Sequence, residues 1–436
     1  MSSQHRLRGF AAVGSIAAVS LALAGCASGG SSDGSVEISW LVNSGDANEL
    51  LAAAVIEAFE AENPNVTVNL DLRPAGTEGD NLIKTQLSTG EMSDVFYYNS
   101  GSLLQALNPD QTLVNLADEP WVADTTDDFQ RVVSTENGLY GSPMGSAFAG
   151  GIVYNKPIYA ELGLEIPTSW DEFMANSEAI KAAGIAAPII QTFGDTWTSQ
   201  LFVLGDFANV DAADPDWADA YTANERKYSD EPAIAGFEHQ QAVFEAGLLN
   251  EDYPSATFED GARMIATGEG AQYPILTGVL GTIQANNPDN IDDVGVFPIP
   301  ADDPDDTSLT MWLPNANYIP KTTEGAELEA AKALIAFINT APGCDLQNEH
   351  LTAAGPYAIS TCVLPDGAPA LIAELQSYVD DGKSAPALEF LSPIKGPNLE
   401  NITVEVGSGI SSAADGAAQY DEDVKKQAQQ LGLDGW

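Results

Sequence analysis

The sequence predicts an α/β protein built on a doubly wound sheet, with two domains or more. Two observations carry that expectation. Strand-like and helix-like segments alternate through residues 36–98, the order that makes parallel sheets with right-handed crossovers. The chain also has 436 residues, more than one hydrophobic core organises.

The elements follow in order. Residues 36–42 read as a strand, and Asn43-Ser44-Gly45-Asp46 as a turn with helix-capping residues. Leu51, Val55 and Phe59 recur every four residues, which is an apolar helical stripe, and Asn63-Pro64 stops it. Val66, Val68, Leu70 and Leu72 alternate with polar residues and give a second strand. A helix over 80–88 ends at Gly90, and 94–98 gives a third strand. Further on, Thr168-Ser169-Trp170-Asp171 is a capping box opening a helix through Lys181, closed by Gly184. Residues 188–190 and 310–313 read as strands. A helix over 324–339 carries Leu328, Ala331, Leu334, Ile335 and Ile338 on one face. The acidic run 302–306 lacks the Asp-x-Asp-x-Asp-Gly order of a calcium loop and reads as a solvated turn, so no metal is expected there.

The N-terminus fixes the expected compartment. His5, Arg6 and Arg8 precede an apolar run from Phe10 to Ala24, too short to span a bilayer, and then comes Leu23-Ala24-Gly25-Cys26. That ending resembles the bacterial lipobox, whose Cys is lipidated and becomes the mature N-terminus; the alternative is an ordinary signal with a Cys beside it. The expectation is a signal peptide over 1–25, then lipidated Cys26 and a Gly/Ser tether over 26–35. The protein would then sit on the outer face of the bacterial cytoplasmic membrane, held by its lipid and by no spanning helix. The net charge of −48, from 16 Lys and Arg against 64 Asp and Glu, repels phosphate backbones and argues against nucleic acid. Of the three Cys, Cys344 and Cys362 remain as an even pair in an exported chain, which points to a disulfide. Closing that loop stabilises by about 3 kcal/mol in the chain-entropy model. Zinc is the rival reading, but the chain beyond the signal holds just His239 and His350 and no Cys-x-x-Cys.

A resemblance now enters. Ile38-Ser39-Trp40, the helix ending Phe59-Glu60-Ala61-Glu62-Asn63-Pro64, Ser93-Asp94-Val95-Phe96, Gly138-Leu139-Tyr140-Gly141-Ser142-Pro143, Tyr154-Asn155-Lys156, Pro167-Thr168-Ser169-Trp170-Asp171, Gly295-Val296-Phe297-Pro298 and Tyr318-Ile319-Pro320-Lys321 stand in that order. Together they resemble the extracellular solute-binding proteins of ATP-binding-cassette importers, of the carbohydrate-binding family 1 type. The resemblance implies a two-lobed, periplasmic-binding-protein-like clamp, each lobe a doubly wound sheet flanked by helices, joined by hinge crossings. It places the crossings near 145–149, near 297–300 and near 342–343. Lobe one would combine 36–145 with 300–342, and lobe two 149–296 with 345–436. It also implies a monomer that hands its solute to the transmembrane permease subunits of the importer.

Ligands of open α/β sheets lie beyond the carboxyl ends of the strands. That rule nominates Asn43, Ser44 and Asp46 after the first strand, and Tyr98, Asn99 and Ser100 after the third. Gln191, Asp195 and Trp197 follow the strand at 188–190, and Trp312 and Asn315 belong to the strand returning to lobe one. The mixture suits a mono- or oligosaccharide: aromatic faces cover the C–H faces of a pyranose, and carboxylates and carboxamides satisfy its hydroxyls. Each candidate has a plainer reading. Asp46 caps a helix, Trp40 divides between core and cleft, and Trp170 packs in the core. The family's Gly-x-Trp element corresponds here to Gly278-Val279-Leu280, and Tyr273 is the residue placed to compensate.

Other functions fit less well. An exported glycosidase needs a carboxylate pair at fixed separation, and no local sequence singles one out. Nucleophile-elbow and zinc-protease motifs are missing from the sequence, so no enzyme and no cofactor is expected. The same fold binding a polyamine, a peptide or another non-sugar solute remains the alternative, as does signalling to a membrane sensor.

Overall fold

The computed structural model describes residues 35–44 and 47–436. The expected signal peptide over 1–25, Cys26 and nearly all of the expected tether lie outside the described residues, as does Asp46. Val36–Trp436 forms one compact unit. Its strands are β1 (Val36–Asn43), β2 (Val66–Arg73), β3 (Val95–Tyr98), β4 (Ser134–Thr135), β5 (Gly138–Leu139), β6 (Ser142–Pro143), β7 (Phe148–Asn155), β8 (Gln272–Leu276), β9 (Val294–Phe297), β10 (Leu309–Trp312), β11 (Ala316–Tyr318) and β12 (Ser384–Pro386).

Lobe one is built on the sheet β2-β1-β3-β11-β6. Its first three strands are parallel, as the alternation at 36–98 requires, and β11 runs antiparallel to β3 and β6. Leu51, Val55 and Phe59 bury the stripe of helix Ala47–Glu62 in the same core as Leu334, Ile335 and Ile338 of helix Gly325–Ile338. Trp40 belongs to this core, and its indole Nε1 donates to Asn317 Oδ1 at 2.9 Å.

Lobe two is built on β12-β10-β7-β8, with β9 also paired to β7. Here the sheet is mixed, because β7 enters from lobe one and takes β8, β9 and β10 as antiparallel neighbours. The cap expected at Thr168 with Asp171 falls one residue later, Ser169 accepting from Glu172 N, and Trp170 is buried against Phe173 and stacked on His239. A helical layer of Trp217, Tyr221, Tyr228, Phe237 and Tyr420 packs beside it.

Three boundaries differ from the sequence reading. The strand at 310–313 is real, but it pairs with β7 and β12 in lobe two, and Thr310 Oγ1 donates to Gly205 O at 2.6 Å. The second crossing therefore lies at 313–315, not 297–300. Alternation identifies a strand without naming its partner. The third crossing is also later than 342–343. Helix Ala341–His350 packs on helix Ala47–Glu62 and its Cys344 joins the lobe-one core with Cys362. The chain touches lobe two at Ala353, returns to lobe one, and passes to lobe two again after 362, where helix Ala370–Asp380 lies on β9. Residues 188–190 make single bridges, Ile189 to Leu249 and Ala187 to Gly270, in place of a strand. The Cys344–Cys362 disulfide is formed, with Cα atoms 5.1 Å apart. Among the described residues no helix is long and apolar enough to cross a membrane.

Candidate functional site

The carboxyl ends of β1, β2 and β3 form one edge of lobe one, and lobe two meets that edge with the segment after β12. Tyr98, the last residue of β3, is fully buried there. The Arg73 guanidinium at the end of β2 lies 5.6 Å from the centroid of its ring, a cation–π arrangement. Arg73 also donates to Tyr97 O at 3.3 Å and to Pro74 O at 3.2 Å. Gly79 is needed beside it, because a Cβ at that position would fall 2.4 Å from Arg73 NH1.

Asp80, in the first turns of helix Gly76–Thr89, faces the Tyr98 hydroxyl. Burial raises the Asp80 carboxyl above its ordinary value, and Arg73, Lys84 and Lys395 act in the opposite sense. The Tyr98 phenol is pushed well above the ordinary range, by burial first and then by the Asp80 charge. Lys395 belongs to lobe two, so the charge cluster spans the cleft.

From lobe two, Glu389 pairs with Lys395 at 3.4 Å, both largely buried. The backbone of Glu389 rests on Gly101, where a Cβ would lie 2.4 Å from Glu389 O. Thr77 Oγ1 donates to Glu400 Oε1 at 2.6 Å, a second contact between the lobes. Trp312 ends β10, and its ring lies over Gly150 of β7, where a Cβ would meet it at 2.4 Å. Trp312, Tyr228, Tyr420, Leu204, Glu389 and Lys395 line a cavity of about 10 Å³, room for a single water. A bound small molecule needs on the order of several hundred Å³. The cavity as it stands has no room for one.

The expected site residues separate into three groups. Tyr98 and Trp312 are buried in one apolar cluster with Ala387 and Phe390, and Glu389 lines the cavity beside Trp312. Asn43, Asn99 and Asn315 stand on the same edge. Asn43 Oδ1 is buried without a partner among the described residues, while Asn99 and Asn315 use their carbonyls to hold Tyr318 OH and Met144 N. Trp197 lies one step away. It packs on Phe258 at 5.3 Å, and its turn Thr196–Gln200 abuts the helix bearing Glu400 through Ser199 Oγ, which donates to Glu400 O. Gln191 beside it is buried with both amide atoms unpartnered among the described residues.

Tyr273 lies inside lobe two, fully buried, its hydroxyl 2.7 Å from Thr192 Oγ1 and its ring against Gly261. Leu280 likewise packs in the lobe-two core. Sequence reasoning missed Arg73, Asp80, Glu389, Lys395, Tyr228 and Tyr420. The carboxyl-end rule would have reached Arg73 and Asp80 had it been applied to the loop after β2. Segment 386–400 carries no periodicity and gave no signal.

Known proteins agree with this architecture. The family model described as bacterial extracellular solute-binding protein matches residues 44–343. The chain belongs to that family. Among curated relatives, a multiple sugar-binding protein of Streptococcus mutans is 25% identical over 252 residues, covering 56% of this chain and 58% of the relative. An extracellular-binding protein of an ABC transporter from Pyrococcus horikoshii is 23% identical over 297 residues, 64% of each chain. The alignments thus span under two thirds of these relatives. Among solved structures, a chitin oligosaccharide binding protein superposes with a TM-score of 0.78 at 23% identity, covering 91% of this chain and 99% of the other. The solute-binding protein RafE in complex with raffinose gives 0.73 at 18% identity, covering 91% and 100%. The solute-binding fold described here is thus shared over nearly its whole length.

Proposed function

We propose that this solute-binding protein captures a mono- or oligosaccharide between its lobes and delivers it to the permease subunits of an ATP-driven importer. In this reading Cys26 carries the lipid that holds the protein, as a monomer, on the outer face of the cytoplasmic membrane. The observation that carries the proposal is the cleft itself. On one side the Arg73 guanidinium lies over the Tyr98 ring with Asp80 beside the Tyr98 hydroxyl, and on the other Glu389 pairs with Lys395 and lines the cavity with Trp312. Aromatic faces and fixed charged donors and acceptors are what a neutral polyol needs. The sugars bound by similar proteins, raffinose and chitin oligosaccharide among them, support the same class.

Arg73 and Lys395 disfavour a polyamine, since a cation would enter beside two cations. A glycosidase is disfavoured because no motif in the sequence singles out a catalytic carboxylate pair.

Thermal unfolding against a panel of sugars, amino acids and polyamines tests the proposal. A ligand of the folded form at 100 times its dissociation constant adds about 2.7 kcal/mol. A shift with one sugar class and none with the others is the expected result. Shifts confined to polyamines or amino acids would discard the sugar.

A further inference from the structure

The disulfide does more than close a loop, because the loop it closes is part of the hinge. Between Cys344 and Cys362 the chain leaves lobe one, touches lobe two and returns. Its base is held to lobe one on both sides. Thr361 Oγ1 donates to Asn339 O, Ser360 N donates to Asp124 O, and Thr126 N donates to Ala358 O. Its tip reaches lobe two. Ala353 is buried in the lobe-two core, and Thr277 Oγ1, at the end of β8, donates to Ala354 O at 3.0 Å.

The first crossing wraps that tip. Ala354 N donates to Ser146 Oγ at 2.9 Å, and Ala147 N donates to Pro356 O at 2.7 Å. Gly355 sits where a Cβ would be 2.6 Å from Ala147 O, so no larger residue fits the wrap. Thr277 joins the two as well, its Oγ1 accepting from Ala149 N.

Gln347 ties the crossing to the disulfide. It is buried in helix Ala341–His350. Its Oε1 accepts from Gly145 N at 2.7 Å, and its Nε2 donates to Ile338 O at 2.8 Å and faces Cys362 Sγ at 3.8 Å. Gly145 has φ of +90°, a conformation that a residue with a Cβ adopts only under strain. One side chain thus fixes the start of the first crossing, the end of the preceding helix and the sulfur at the base of the loop.

We propose that residues 351–359 form a pin of lobe one around which lobe two swings, and that the Cys344–Cys362 disulfide and Gln347 clamp the pin and limit how far the lobes part. The proposal rests on the clamp reading above, but not on the identity of the solute. Rotation then occurs where the pin meets lobe two, at Ala149, Thr277 and Ala354, while Gly145, Gln347 and Ser360 stay fixed to lobe one. Gln347 is a positioning residue, since it touches no cleft residue.

Hydrogen exchange and small-angle X-ray scattering on the full chain, without solute, test it. In the Cys344→Ala/Cys362→Ala variant, the amides of Ala147, Ala354 and Ser360 should exchange at least tenfold faster, with the amides of β1 and of residues 151–155 of β7 unchanged. Gln347→Met should act on Gly145 and Ala147 in the same way, with the disulfide intact. Both variants should show a larger radius of gyration than the parent. Unchanged exchange at the pin and an unchanged radius in Gln347→Met would overturn the proposal. So would equal acceleration everywhere in both variants, which marks a general loss of stability. If the double Cys variant does not fold, Gln347→Met decides. A wrong solute class leaves these measurements untouched, so the two readings fail separately.

Discussion

At the scale of single residues, Asp80 is the most exacting group in the cleft. Burial raises its carboxyl, while Arg73 and Lys395 favour the charged form. Asp80→Asn keeps the shape and removes the charge, so it loses a charge-assisted acceptor and leaves Arg73 and Lys395 less compensated. Such bonds contribute about 1.5–3 kcal/mol. Sugar affinity should fall by at least tenfold by calorimetry; an unchanged affinity would remove Asp80 from the site. Asp206, inside lobe two, makes a different prediction. It is buried, accepts from Asn209 Nδ2 at 2.7 Å, and has His239 and Asp302 as its charged neighbours. Burial lifts its pKa from 3.8 to about 7, with His239 and the Asn209 bond opposing. The folded protein therefore holds this proton more tightly than the unfolded chain. Its contribution to stability is full below about pH 4 and is lost as pH rises through about 7. Melting temperatures measured across pH 4–8 should show Asp206→Asn gaining on the parent as pH rises, with the gain levelling off above 7. A pH-independent difference would show that Asp206 is charged throughout.

At the scale of elements, closure depends on a glycine. Gly101, ahead of helix Ser102–Gln105, has φ of 69° and ψ of −140°, a region open essentially to glycine alone. It also forms the seat for Glu389 O. Gly101→Ala carries two costs that different measurements separate. Backbone strain of about 1–3 kcal/mol lowers the melting temperature of the free protein. The blocked seat weakens sugar binding beyond that, and binding with parental affinity would show that the seat is not used. Such positions also show why the sequence was legible only in part. In lobe one, β1, β2, β3 and their helices follow from apolar periodicity, because burial on one face leaves a period of two or near four. The strand at 310–313 was recognised and then given to the wrong lobe, since its partner β7 lies about 160 residues away and pairing leaves no local mark. Trp312 was nominated from the wrong lobe and still reaches the cleft, because β10 ends where the crossing begins. Glu389 and Lys395 were silent, being held by an aperiodic segment that tertiary contacts shape.

At the scale of the whole molecule, the proposed clamp works as an equilibrium between parted and joined lobes, and in it the contacts across the cleft belong to the joined form alone. Thr77 Oγ1 to Glu400 Oε1 is the simplest of them, because neither group lines the cavity. A ligand that binds the joined form has its apparent affinity reduced by the fraction of molecules not in that form. Removing a bond made only on joining must therefore weaken binding without touching the ligand. Thr77→Val deletes the hydroxyl and keeps the volume. An exposed hydrogen bond to a carboxylate contributes about 0.5–1 kcal/mol, which is about two- to fivefold in affinity. The free variant should have a larger radius of gyration than the parent, and the solute-bound forms should be closely similar in size. Contraction on binding would then be greater in the variant, although its binding is weaker. A mutation that damaged the site itself would weaken binding without that extra contraction, so scattering with and without solute distinguishes a shifted equilibrium from a lost contact.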